Sequence, residues 1–598
     1  MTHQQQTKYR LFILSFTLLL TTILSIHVNS QGFLHADGQR IVNGKGENVL
    51  LRGMGLGGFM LQEGYMFNVR GIGQRQYVIK SKIEELIGAK ATEAFYDVWL
   101  TNNTRKIDVD SLKAWGFNSI RLPMHYALYT LPTDQEPVKG KDTWLEKGFA
   151  LTDSLLAWCK ANQMYLILDL HATPGGQGND LNISDRDPGK PSLWDSEENK
   201  QKMIRLWKKL AERYKDEDHI GGYDIINEPN WGFEDAVNDK NGLKEKKNEP
   251  LRQLMVDITK AIREVDQHHI IIIEGNGWGN NYNGILPVWD NNMVLSFHKY
   301  WNLNDLHSIQ HILNFREKNN VPVWVGETGE NTNVWFTQAI ELFEQNNIGW
   351  SWWPLKKMGL NNPLEIHSNP NYQQIVDYWG GKGAKPGEAD ANKGLFQLAE
   401  DLKLENNVYH RDVIDAMMRQ PHTTATIPYR SNIVTNNTVL NAVDYDLGRN
   451  GYAYADNDTA DYHNGGTKSQ RNVGNRGHVY RNDGVDIQRD GNAGFFVSNM
   501  ETGEWLQYTL QVQEQGVYTL QLTASATKDS AVLQVSVAGA AGNPTVAVPN
   551  TGTVNQWQVL EATGIMLAPG KQVLRILVNK GDCNLKTISF IKGVAKKK

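Results

Sequence analysis

The sequence predicts an α/β protein: a (β/α)8 TIM barrel followed by an all-β sandwich of the jelly-roll kind. Two textures carry this reading. From about residue 40 to 420, short runs of β-branched and aromatic residues alternate with longer amphipathic stretches, the pattern left by parallel βα units. After about residue 421 the helical period disappears, and short alternating runs separated by Gly, Asn, Asp and Thr take over, as in an antiparallel sandwich. A chain of 598 residues is too long for one core, so more than one folded domain is expected.

Eight strand candidates fall at 50–55, 119–123, 165–171, 222–227, 270–274, 294–300, 321–327 and 349–354. Several are almost wholly apolar, as strands covered on both faces must be. Helical patterns lie between them at 144–162, 197–214, 251–265 and 335–346. An open doubly wound sheet is the alternative. It would carry a glycine-rich phosphate turn, and Gly53-Met-Gly-Leu-Gly-Gly58 lacks that spacing. The sandwich strands are expected at 505–512, 518–524, 531–537, 573–578 and 585–591. The organisation is then a signal peptide over 1–30, a catalytic barrel over 31–420, a linker over 421–429 and a sandwich over 430–598. The linker is short and poor in Ser and Pro, which favours docked domains over tethered ones.

Export follows from Lys8 and Arg10 ahead of an apolar run ending near Ile26, with Val28-Asn-Ser30 as a cleavage site. The run is short for a bilayer span. The protein is expected to be secreted, extracellular or periplasmic, free of the membrane after signal removal, and monomeric. A net charge of −5 with no basic block before Lys596-Lys-Lys598 argues against nucleic acid as a partner. Only Cys159 and Cys583 are present, in different predicted domains, so the fold does not depend on a disulfide framework. No Cys/His cluster has zinc spacing, and no metal site is expected.

The polar residues of the barrel segment gather at the C-terminal ends of the strand candidates. Arg121 ends the second, His171 the third, Asn227 and Glu228 the fourth, His298 and Tyr300 the sixth, and Glu327 the seventh, while Trp353 lies on the eighth. In a barrel these ends converge on the face that carries the active site. Two carboxylates facing each other there are what glycoside hydrolysis requires. One gives a proton to the leaving oxygen and the other attacks the anomeric carbon or activates water. Arg121, His298 and Tyr300 are expected to hold Glu327 ionised, leaving Glu228 as the partner that protonates more easily.

These segments resemble glycoside hydrolase family 5, the cellulase family of retaining barrels. The matching pieces are Ser119-Ile-Arg-Leu-Pro123, Leu168-Asp-Leu-His171, Ile226-Asn-Glu-Pro229, His298-Lys-Tyr300, Val325-Gly-Glu327 and Gly349-Trp-Ser-Trp-Trp353. The resemblance implies Glu228 as acid/base and Glu327 as nucleophile, with no cofactor needed. It places Arg121, His171, Asn227, His298, Tyr300 and Trp353 around the sugar, Asn227 on its 2-hydroxyl. Arg52-Gly-Met-Gly-Leu-Gly-Gly58 followed by Glu63, and His171-Ala-Thr-Pro-Gly-Gly-Gln177, resemble the fungal exo-β-1,3-glucanases of the family. There the counterpart of Glu63 holds the terminal sugar; a surface or helix-capping carboxylate is its alternative role. A β-glucan or cellulose substrate is expected. A β-mannanase, another β-glycanase of the family, and a catalytically silent polysaccharide-binding protein are the competing readings, and endo or exo action stays open. Long insertions at 175–193 and 361–393 are expected as loops that wall the cleft.

Residues 430–593 resemble a family 6 carbohydrate-binding module through Ala442-Val-Asp-Tyr-Asp446, residues 480–487, Gly503-Glu-Trp-Leu-Gln-Tyr508, Gly516-Val-Tyr-Thr-Leu520 and Asn584. The resemblance implies a module that holds the enzyme on a polysaccharide, Asn584 as a sugar ligand, and a structural calcium. Val443 stands where that family has a calcium-binding glutamate, and Asn499 and Val554 stand at its stacking aromatics. A spacer that no longer binds sugar is the alternative, with Trp505 and Trp557 read as core.

Overall fold

A computed structural model describes residues 32–300, 302–457 and 475–593. The expected signal peptide and the terminal lysines lie outside the described residues. Eight parallel strands close a barrel: β1 (Arg52–Gly55), β2 (Ser119–His125), β3 (Tyr165–Ala172), β4 (Ile220–Asp224), β5 (Ile271–Glu274), β6 (Met293–Lys299), β7 (Val323–Gly329) and β8 (Gly349–Trp353). Each overlaps one strand candidate. Nearly every strand residue is buried, which explains why the runs read as apolar without alternation. A hairpin of His35–Asp37 and Arg40–Val42 caps the other end. Leu34 and Ile41 pack there with Leu51, Tyr165, Ile167, Ile270, Ile272, Val294 and Trp324.

Two regions depart from the sequence reading. Between β1 and β2 lie three helices, Gln76–Ile87, Ala89–Asn103 and Lys106–Trp115. Much of the supposed loop 361–393 is likewise helical, as Pro370–Trp379 and Glu388–Asp401. Tyr372, Ile375, Leu395 and Leu398 join the barrel's core, so this insertion is packed structure rather than a lid. The insertion 175–193 does remain a loop.

β-Bulges sit where the chemistry is expected. Between β6 and β7, Phe297 pairs with Val325 and the next pair is His298 with Glu327, so Gly326 is the extra residue. Between β2 and β3, the pair Met124–Leu170 is followed by His125–Ala172, which leaves His171 extra. Bulges of this kind re-aim side chains. At Gly326 a Cβ would stand 2.3 Å from Ser296 Oγ and 2.9 Å from His298 Nε2, so only glycine lets His298 lie beside Glu327.

The C-terminal segment folds as two antiparallel-rich sheets. One contains Trp505–Val512, Gly570–Lys580, Ala531–Val537 and Thr545–Val548. The other contains Phe495–Met500, Cys583–Lys592, Gly516–Ser525 and Gln558–Leu567. Alternate residues of each strand meet in one core. Cys159 and Cys583 are buried and free.

Candidate active site

Arg121 organises the site. It lies in the middle of β2 rather than at its end, because the strand continues to His125. Its guanidinium therefore sits inside the barrel, beneath the carboxylates. Nη1 reaches Glu327 Oε1 at 2.5 Å and Asp169 Oδ2 at 3.2 Å; Nη2 reaches Asp224 Oδ2 at 2.9 Å, Asn227 Oδ1 at 2.8 Å and Glu274 Oε1 at 3.3 Å. All five acceptors are buried. The planar fork of arginine suits such multiple donation.

Glu327 is held from two sides. Arg121 takes one oxygen, and Tyr300 Oη donates to Oε2 at 2.9 Å. His298 differs from expectation. Its Nδ1 lies 2.6 Å from Glu228 Oε1 but 3.7 Å from Glu327 Oε2, so its main partner is the other acid. Glu274 explains the placement. Its Oε1 faces His298 Nε2 at 3.2 Å, and its Oε2 accepts from the Glu228 backbone N–H at 2.7 Å.

Asn227 and Glu228 lie beyond the end of β4. Glu228 has φ of 42°, a region a non-glycine residue enters at a cost of about 1–3 kcal/mol. The bond to Glu274 and one from Asn230 Nδ2 to the Glu228 carbonyl at 2.8 Å hold it there. Asn227 Nδ2 donates to His171 Nε2 at 3.3 Å, and His171 Nδ1 donates to Asp169 at 2.7 Å; this network assigns the tautomer.

Trp353 stacks on His171 with ring centres 5.1 Å apart and planes 6° apart, and its Nε1 donates to Tyr65 Oη at 3.1 Å. Two of the glycines after Arg52 make room for this ring. A Cβ at Gly55 would come within 2.6 Å of Trp353, and one at Gly57 within 2.8 Å. Glu63 is buried and makes no capping bond to the turn Gly64–Phe67, which removes the capping role. Burial and the nearby Glu327, Glu330 and Glu228 charges push its carboxyl well above the usual range, which favours its protonated form.

The two central acids are split. Burial pushes Glu228 up to about 7, with the His298 cation offsetting part of the effect. Burial also opposes the charge on Glu327, but His298 and Arg121 outweigh it and hold that carboxyl below its ordinary range. Burial disfavours charge on His298 too, yet Glu274, Glu327 and Glu228 raise it well above the usual imidazole value. Burial takes His171 down to about 3, so it stays neutral. One protonated acid beside one ionised acid is the arrangement that proton donation plus nucleophilic attack requires. Ligand atoms of Glu228, His298 and Glu327 lie within 4.8 Å of one another, the one group among the described residues with spacing suited to a cation.

Asp169, Asp224 and Glu274 are not singled out by the sequence, although each is an acid within an apolar strand. A cavity of about 820 Å³ opens beside the site at the same barrel end, lined by Tyr77, Tyr96, Tyr126, His125, Thr173 and Asp185. Asn584 is buried in the module. Its amide donates to Ser525 Oγ at 3.0 Å, and its Oδ1 accepts from the Asn499 N–H at 3.1 Å. Trp505 and Trp557 are half-buried, under Arg575 at 3.6 Å and near Lys586 at 5.5 Å.

Residues 80–359 match the cellulase model, glycosyl hydrolase family 5. Residues 481–589 match the family 35 carbohydrate-binding module, which corrects the family 6 resemblance. Short alternating strands report a sandwich and its turns, not which sandwich family it is. A β-xylosidase of Phanerodontia chrysosporium is 23% identical over 438 residues, covering 64% of this chain and 85% of the relative. Endoglucanase C of Acetivibrio thermocellus is 23% identical over 47% of this chain and 91% of its own. A glucan 1,3-β-glucosidase of Candida oleophila is 26% identical over 43% and 57%. Among solved structures, rutinosidase from Aspergillus niger aligns with a TM-score of 0.42 and 17% identity, over 52% of this chain and 90% of that one. The chain is thus a glycoside hydrolase, its barrel a domain of the cellulase family, glycosyl hydrolase family 5, and its C-terminal sandwich the site of a family 35 carbohydrate-binding module.

Proposed function

We propose that the protein is a retaining β-glycosidase acting on β-glucosidic bonds of polysaccharides. Glu327 Oε attacks the anomeric carbon while Glu228 protonates the departing glycosidic oxygen. The ionised Glu228 then takes a proton from water, whose oxygen displaces Glu327 from the sugar. The observation that supports retention most is the spacing: one carboxylate oxygen of each acid lies within 4.8 Å of one of the other's. Retaining enzymes have carboxyl groups ~5–5.5 Å apart, and inverting ones ~6.5–9.5 Å. Glu63 and Trp353, both at the site, are the side chains that would give the sugar hydroxyl and stacking contacts. The relatives named endoglucanase and glucan 1,3-β-glucosidase support a glucose-based substrate.

A second reading takes a pentose, favoured by the match of 64% of this chain to a relative named β-xylosidase. Laminarin, lichenan, cellulose, mannan and xylan, each with its short oligosaccharides, separate the two. Release of glucose or β-gluco-oligosaccharides supports the first; xylose alone supports the second. Proton NMR of the first product is expected to show the β-anomer, and an α-anomer appearing first overturns retention.

The split acids dictate the pH profile. Activity requires Glu228 protonated, so kcat/KM falls as pH rises through about 7. The acid limb lies below the ordinary glutamate value because Glu327 is held ionised there. His298→Gln removes a positive charge that lowers both acids. Both limbs are therefore expected to move to higher pH. Limbs that stay in place would show that His298 carries no charge in the working enzyme.

A further inference from the structure

The carbohydrate module reaches into the nucleophile's own loop. Arg481 of the module is fully buried against the Tyr429 and Tyr445 rings and bonded to Asp483 at 3.0 Å, which fixes the backbone at that point. The next residue, Asn482, crosses to the barrel. Its N–H donates to Asp412 Oδ2 at 2.8 Å, and its carbonyl accepts from the Asn333 N–H at 2.8 Å. Its Nδ2 donates to the Asn331 carbonyl at 2.9 Å and to Asn333 Oδ1 at 3.1 Å. Asn333 Nδ2 closes the cluster on Asp412 at 2.7 Å. Asn331, Asn333, Asp412 and Asn482 are all buried.

The loop so gripped follows directly from Glu327 and touches the site twice. Asn331 Nδ2 donates to the Tyr300 carbonyl at 3.4 Å, and the Tyr300 hydroxyl holds Glu327. Glu330, at φ of 51°, pairs with Lys357 at 2.5 Å; Lys357 lies 5.8 Å over the Tyr65 ring, whose hydroxyl accepts from Trp353. Asn482 thus reaches the nucleophile through three contacts, by way of Asn331 and Tyr300, and the neighbouring Glu330 leads to the tryptophan platform along the other path.

We propose that the module is a working part of the catalytic cleft, with Asn482 as a positioning residue that sets the 330–333 loop and through it Tyr300 against Glu327. The proposal rests on the reading of Glu327 as nucleophile. A module docked only for stability would need no contact at this loop. The Arg449–Glu341 pair at 3.2 Å already joins the two parts elsewhere, and the Arg411 bond to the Tyr429 carbonyl at 2.7 Å ties the linker to the barrel.

The test uses the full chain and a short aryl β-glycoside, whose hydrolysis does not depend on polysaccharide binding. Asn482→Ala is expected to lower kcat on the order of tenfold, the scale of a small displacement at the reacting centre. It should also move the acid limb of kcat/KM to higher pH, because a slackened Tyr300 bond stabilises ionised Glu327 less. Arg449→Ala, which loosens docking away from the loop, is expected to lower thermal stability and leave kcat and the acid limb in place. Asn482→Ser, which keeps a side-chain hydroxyl donor as well as the main-chain bonds that alanine also keeps, should shift both quantities in the same direction by less, and it carries the test where the alanine variant does not fold. Unchanged kcat and acid limb in a folded Asn482 variant, or equal kcat losses in the Arg449 variant, overturn the proposal. Full activity in Glu327→Ala would instead strike the nucleophile assignment on which it stands.

Discussion

Glu327→Ala is expected to lower kcat on aryl β-glycosides on the order of 10⁴-fold or more, the scale on which removal of a covalent nucleophile acts. The fold should survive, because Arg121 keeps Asp169, Asp224 and Glu274 as partners. The variant also separates mechanism from mere impairment. Removing the carboxylate opens room beneath the anomeric carbon, and azide at high concentration can enter it. Attack from that face, with Glu228 still donating its proton, yields an α-glycosyl azide. Recovery of activity with azide and an α-configured product supports Glu327 as the attacking group. A variant that hydrolyses as fast as the parent would remove Glu327 from the chemistry altogether. Loss of activity without azide rescue, in a folded protein whose product is otherwise α, would point to an inverting pair.

Much of this was readable in the chain. Runs such as Leu166–Leu168 and Ile271–Ile273, apolar at consecutive positions, leave little choice but strands covered on both faces. Glu228 and Glu327 stood out because each ends or follows such a run. The remaining acids did not, for a physical reason. Where both faces of a strand are buried, no alternation tells which side chains turn inward, so Asp169, Asp224 and Glu274 read as incidental polar residues. Their roles come from Arg121, whose partners, from Asp169 to Glu327, lie 48 to 206 positions away. The pairing of His298 with Glu228 rather than Glu327 goes with Glu274, which faces the His298 ring with one oxygen and holds the Glu228 N–H with the other, a connection that local sequence does not announce. The grip of Asn482 on Asn331 and Asn333 spans about 150 positions, and only the folded arrangement of the two parts reveals it. The insertion 361–393 reads as loop because a long span after the last strand suggests a cleft wall; the buried Tyr372, Ile375, Leu395 and Leu398 of the helices there say otherwise.

Arg121→Met carries the largest expected cost in stability. The guanidinium is fully buried, with four carboxylates and one amide oxygen around it. Removing one partner of a buried ionic cluster costs about 3–5 kcal/mol, because the remaining charges stay desolvated and uncompensated. Burial already pushes Asp169 and Asp224 well above the usual carboxylate range even with Arg121 opposing it. Without the arginine they rise further. A carboxyl whose folded pKa lies above its unfolded value contributes stability that is complete below the unfolded pKa and is lost as pH rises through the folded one. The deficit of the variant relative to the parent should therefore be small near pH 4 and grow towards neutrality, as followed by thermal unfolding across that range. Activity should fall as well, on the order of a hundredfold, since Glu327 loses one of the two charges that keep it ionised. Arg121→Lys separates charge from geometry: a lysine restores part of the stability at pH 7 but supplies no planar fork for Asp224, Asn227 and Glu327 together, so kcat should remain low. A methionine variant as stable as the parent at pH 7 would mean that the acids around Arg121 are already neutral, and that the nucleophile owes its charge to His298 and Tyr300 alone.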